Sequence, residues 1–138
     1  MKKITIILLI LLTACNSRAN HVATFQIKTD ANTNEGIPFY VVAKSTEYME
    51  YVCDDYHKIY NELASASDED ERIVTFFIIP GETKKIRVEG KGNKAPAIYF
   101  LFTKPGEAWS YYASGGGKQS VKLFLGKHEI EAQSAFRS

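Results

Sequence analysis

The chain has 138 residues and a formal net charge of +1, from 17 Lys and Arg against 16 Asp and Glu. That length holds one domain, and a hydrophobic fraction of 45% lies far from the low-hydrophobicity, high-charge regime of disordered chains. With almost no net charge there is no basic field to hold a phosphate backbone, so nucleic acid is a poor candidate partner.

Met1-Lys2-Lys3 is a positive n-region, and residues 4–12 are an apolar run broken only by Thr5. That run is far short of the roughly 20 residues needed to span a bilayer, and it has the size of a signal-peptide h-region. Leu12-Thr13-Ala14-Cys15 then sets small residues directly before a cysteine. This resembles the lipobox of bacterial lipoproteins. The resemblance implies that residues 1–14 are a lipoprotein signal peptide and that the Cys15 thiol is diacylated. Cys15 becomes the new N-terminus, and residues 15–21 form the lipidated tether. Several acyl chains anchor a protein far more firmly than one. Asn16 stands where Asp would signal inner-membrane retention, so the sorting rule of such lipoproteins implies the outer membrane. With Cys15 carrying lipid, Cys53 has no partner for an intrachain disulfide, and the domain must rest on its core. Cys53 itself is expected to be a small, half-buried filler.

Residues 22–28 alternate as a first strand with Ala23, Phe25 and Ile27 on one face. Residues 30–36 are turn formers and must be a loop. Residues 37–43 are β-rich behind Pro38. From Glu47 the period changes: Tyr48, Val52, Tyr56, Ile59 and Leu63 recur at spacings of three and four. One amphipathic helix follows, capped by Ser45 or Thr46, with Glu50, Asp54, Asp55 and Lys58 on its other side. Residues 64–71 are small and acidic and are expected to be a solvated loop. Strands are then expected over residues 72–79, 83–88, 97–102 and 109–113, with Ile86 and Val88 facing in. A closing hairpin over 121–125 and 128–132 turns at Gly126-Lys127. The fold class is mainly β: residues 22–138 form a two-sheet β-sandwich with one inserted amphipathic helix.

A search for chemistry finds little. Cys53 and His57 stand at i and i+4, but two ligands do not close a zinc site. No Gly-x-Ser-x-Gly elbow occurs. Gly115-Gly116-Gly117-Lys118 lacks the upstream glycine and the following Ser or Thr of a phosphate loop, and is expected to be a hairpin loop. Trp109 and Tyr111 share a strand face and are better explained by core packing than by sugar stacking. These residues point to a surface-anchored binding or scaffolding domain, with no enzyme activity, metal, cofactor or small-molecule substrate.

The order of the pieces resembles the outer-membrane lipoprotein of type VI secretion systems, the TssJ-type family. An Asn-rich loop precedes a Pro-led apolar strand, Asn34-Glu35-Gly36-Ile37-Pro38-Phe39-Tyr40-Val41-Val42. The amphipathic helix follows, then the turn Ile78-Ile79-Pro80-Gly81-Glu82-Thr83. After that come Ala97-Ile98-Tyr99-Phe100-Leu101-Phe102, a turn, Trp109, and the closing hairpin. One departure is Val42-Ala43-Lys44-Ser45, where the family usually has a Val-Arg-Ile-Tyr-Gln-Leu stretch. The resemblance implies a transthyretin-like sandwich facing the periplasm from the outer membrane. It implies as partner the periplasmic domain of the large inner-membrane TssM-type subunit, joined in a trans-envelope complex. The family's contact loop falls here on Asp30, Asn32, Thr33, Asn34, Glu35 and Gly36. The alternative reading is a periplasm-facing lipoprotein that binds or inhibits a peptide, sugar or hydrolase.

Overall fold

A computed structural model describes residues 21–65 and 73–137. The expected signal peptide, Cys15 with most of the expected tether, and residues 66–71 of the acidic stretch lie outside the described residues.

Among the described residues, eight strands form two four-stranded sheets. β1 (His21–Lys28), β4 (Thr83–Gly90), β7 (Lys118–Leu125) and β8 (Ile130–Arg137) make one, in the order β4-β1-β7-β8. β2 (Phe39–Thr46), β3 (Ile73–Ile78), β5 (Ala95–Phe100) and β6 (Ser110–Tyr112) make the other, in the order β3-β2-β5-β6. Every pairing is antiparallel except β1 with β7. The mainly β, two-sheet architecture is the one expected from the sequence.

The core lies between the sheets. The alternation of β1 buries Ala23, Phe25 and Ile27 completely, against Val41, Ile98, Phe100, Val121 and Leu123. Each large apolar side chain removed from water there contributes roughly 1.5–3 kcal/mol. β5 is buried at all six positions because the helices cover its outer face, which is why its sequence is a continuous apolar run without alternation.

The helical insertion departs from expectation. It is two helices, α1 (Tyr48–Cys53) and α2 (Tyr56–Ser65), broken at Asp54 and Asp55. Asp54 takes an extended backbone (φ −71°, ψ 118°), and the Asp55 carboxylate accepts the Lys58 backbone N–H at 2.8 Å as a cap for α2. Neither Ser45 nor Thr46 caps α1. Both pair with β5, opposite Pro96 and Ala95, and the residue before α1 is Glu47, which makes no side-chain cap bond. The inward face is Tyr51, Asp54, Tyr56, Ile59 and Leu63, so Tyr48 and Val52 are exposed and Asp54 is not. Cys53 is exposed, not half-buried, because the break turns it outward with α1.

Three smaller corrections follow from the topology. Residues 115–117 do not close a hairpin: they carry the chain from β6 in one sheet to β7 in the other. Trp109 precedes β6, and its ring packs on Tyr56 and Tyr99 beneath the helices, while Tyr111 meets Phe25 in the inter-sheet core. Ala64 and Ser65 belong to α2.

Candidate docking surface

The β1–β2 loop is built by its own polar side chains. Asp30 Oδ1 accepts the Asn32 N–H at 2.8 Å, and Thr33 Oγ1 accepts the Asp30 N–H at 3.0 Å. Short-range bonds of this kind are why Asp, Asn and Thr favour turns. Thr33 and Asn34 then point inward. The Thr33 hydroxyl, fully buried, donates to Leu125 O at 2.8 Å. The Asn34 amide donates to Ile37 O at 2.8 Å and to Thr103 Oγ1 at 3.3 Å, while its carbonyl oxygen accepts the Thr103 N–H at 2.9 Å. These two residues tie the loop to the end of β7 and to the β5–β6 connection.

The tie forces an uncommon backbone. Asn34, Glu35 and Gly36 are consecutive left-handed residues, with φ of 51°, 56° and 78°. Glycine accepts that conformation freely and asparagine tolerates it, whereas for Glu35 it costs roughly 1–2 kcal/mol. The chain therefore holds a strained, exposed glutamate at the tip. Its carboxylate lies 3.7 Å from His128 Nε2 and 3.8 Å from Lys104 Nζ. All three side chains are well exposed, so the Lys104 pair contributes little, and the His128 contact is an ion pair only when the imidazole is protonated.

Of the six residues assigned to this loop from the sequence, Asp30, Asn32, Glu35 and Gly36 are exposed, and Thr33 and Asn34 are buried. The buried pair shapes the loop and leaves the other four on its surface. Beside them, Gly126, Lys127, His128 and Glu129 of the β7–β8 turn join Asp30 and Asn32 around an open hollow of about 380 Å³. Sequence reasoning missed this contribution: the turn lies some 90 residues from the loop, as the Thr33–Leu125 separation of 92 shows.

The second polar cluster sits under the helices. The buried Asp54 carboxylate accepts the Tyr99 hydroxyl at 2.8 Å and Lys58 Nζ at 2.5 Å, with Lys44 Nζ at 3.4 Å. Lys44 also reaches Glu62 at 2.9 Å. Burial pushes the Asp54 carboxyl up, but the hydrogen bonds from Lys58 and Tyr99 and the charges of Lys44 and Lys58 outweigh it. The group is held below the usual carboxylate range. Burial and the neighbouring Asp54 push the Tyr99 hydroxyl far above its ordinary value, so it stays a neutral donor. Every charged member has a partner. Among the described residues, no group of three or more His, Cys, Asp or Glu side chains is placed to hold a metal. The geometry is that of a clamp between α1, α2 and β5.

The family model for the IglE N-terminal domain matches residues 40–125, from β2 to the end of β7. The chain belongs to the IglE N-terminal domain family. No curated protein matches it. Among solved structures, this family member is similar to the type VI secretion lipoprotein TssJ1 from Pseudomonas aeruginosa. The TM-score is 0.67 at 15% identity, over 86% of this chain and 98% of that one. It is also similar to Lip from Serratia marcescens, a membrane-bound component of the type VI secretion system. There the TM-score is 0.56 at 12% identity, over 88% of this chain and 99% of that one. The fold is thus that of the TssJ lipoproteins, reached with few shared residues.

Proposed function

We propose that this IglE-family chain is a non-catalytic lipoprotein of a type VI secretion apparatus. It is anchored in the outer membrane through acylated Cys15, and its domain faces the periplasm. The β1–β2 loop, with Asp30, Asn32, Glu35 and Gly36 outermost, binds the periplasmic domain of the large inner-membrane TssM-type subunit and helps build the trans-envelope complex. The observation that carries this reading is the match of the whole sandwich to TssJ1, together with where the loop lies. His21, where the tether enters, pairs with Gly90 and bonds Gly92, while the loop follows Lys28 at the other end of β1. Eight strand residues separate the two by about 26 Å. A lipid anchor at one end leaves the loop free to face an inner-membrane partner.

The test is purification of the full-length lipoprotein from crosslinked envelopes in detergent. The inner-membrane subunit is expected to copurify, and a triple Asp30→Ala, Asn32→Ala, Glu35→Ala variant is expected to lose it. Repeated recovery of the lipoprotein without that subunit would refute the reading. Cys15→Ser is expected to move the protein out of the membrane fraction, and unchanged fractionation would refute the anchor.

A further inference from the structure

The four sheet edges are not alike. An open edge presents unpaired N–H and C=O groups, which proteins usually blunt with charge, brevity, proline or a bulge. β4 carries Lys84, Lys85, Arg87 and Glu89. β6 is only three residues long. The pairing of β8 is interrupted by a register shift between Phe124 and Leu125. β3 has none of these devices. Its six residues, Ile73-Val74-Thr75-Phe76-Phe77-Ile78, carry no charge and no proline, and its register with β2 runs without a shift. Its other side has no neighbouring strand among the described residues.

The strand is also apolar on both faces. Val74, Phe76 and Ile78 pair with Ala43, Val41 and Phe39, which belong to the inter-sheet core. Phe77 pairs with Tyr40 on the opposite face, ring centroids 4.8 Å apart. Even so, Val74 is 42% exposed and Phe77 44%, and Tyr40 and Ile79 are about half exposed at 49% and 51%. Because Phe39 pairs with Ile78, this patch runs into Ile37 and the β1–β2 loop.

We infer that the β3 edge receives an extended, uncharged segment of the docking partner as an added strand. Its apolar side chains cover Phe77 and Tyr40 on one face and Val74 on the other. Backbone pairing of this kind supplies affinity, and the flanking side chains supply selectivity. The inference rests on the proposed role as a docking subunit. A second copy suits the edge poorly: a closed symmetric pair of β3 strands is antiparallel, with its two-fold axis across the strands. That symmetry points the two His21 ends in opposite directions, whereas lipid anchors in one membrane require them on one side. Residues 68–71 of the chain itself, all Asp or Glu, are equally ill-matched to an apolar edge.

The test is amide hydrogen exchange on the full lipoprotein in detergent, with and without the purified periplasmic domain of the inner-membrane subunit. Exchange over residues 73–78 is expected to slow at least about tenfold in the complex. Phe77→Lys, or Thr75→Lys should the first variant not fold, is expected to weaken binding at least about tenfold with the free protein's melting unchanged. Binding that leaves β3 exchange and both variants unaffected would overturn the inference while docking through the loop stands. Absence of any binding would overturn the docking role and the inference with it. Protection of β3 in the lipoprotein alone, rising with concentration alongside a dimer mass, would show that a second copy takes the edge.

Discussion

The β1–β2 loop and the break between α1 and α2 solve the same problem with different chemistry. Each is a place where the chain turns sharply and buries a polar side chain to hold the turn. In the loop the holders are neutral, the Thr33 hydroxyl and the Asn34 amide, and their partners are backbone groups and the Thr103 hydroxyl. In the break the holder is the Asp54 carboxylate, and two lysines and a tyrosine answer it. The neutral bonds of Thr33 and Asn34 leave these two anchors indifferent to pH and salt. A buried charge makes the helical cover dependent on its counter-charges.

The strongest way to break that contrast is Asp54→Ala. It leaves the buried Tyr99 hydroxyl without its acceptor and Lys44 with Glu62 as its remaining partner, and a cost of about 2–4 kcal/mol is expected in urea unfolding. A loss below about 1 kcal/mol would show that the cluster is not a clamp. Asn34→Ala comes next, at about 2–3 kcal/mol, from three lost hydrogen bonds and the left-handed backbone that alanine resists. Asn34→Gly should recover the backbone share of that loss and leave the hydrogen-bond share. Equal losses for the two variants would assign the whole effect to the hydrogen bonds.

The pH dependence sharpens the same contrast. The Asp54 carboxyl titrates below its unfolded value of 3.8. Its contribution is therefore fully present above that value and is lost as pH falls through the lower, folded value. The stability gap between the wild type and Asp54→Asn should be constant from pH 7 to 5 and narrow below pH 4. The gap between the wild type and Asn34→Ala should not change over that range. A gap for Asn34→Ala that closes with acid would mean that the loop, too, is held by charge.

Much of this was legible in the sequence, and what was not has a common cause. The alternation at Ala23, Phe25 and Ile27 and the unbroken run of β5 were readable, because burial on one face or both leaves a periodic mark. The stretch Asp30-Ala31-Asn32-Thr33-Asn34 was readable as a loop, since its Asp, Asn and Thr residues bond locally. That Thr33 and Asn34 are its buried supports was not readable, because their partners lie 92 and 69 residues away. Counting Tyr48 and Val52 into one helical stripe was a misreading of the same origin. Asp54 answers Tyr99, 45 residues on, and that bond sets which side of α1 faces in. A local signal did exist: Asp55, three residues before Lys58, is an N-cap residue in the middle of the supposed helix.

The smallest expected effect is the most informative about docking. Glu35→Gly relieves the left-handed strain and removes only exposed ion pairs, so it should stabilise the domain by about 0.5–1 kcal/mol, or a few degrees in melting. A glutamate kept where glycine is more stable suggests that its carboxylate has work outside the fold. The variant should therefore melt higher and yet bind the inner-membrane subunit's periplasmic domain more weakly, by about three- to tenfold. A variant that melts higher and binds as well as the wild type would take Glu35 out of the contact. It would leave Asp30, Asn32 and the β3 edge to carry the partner.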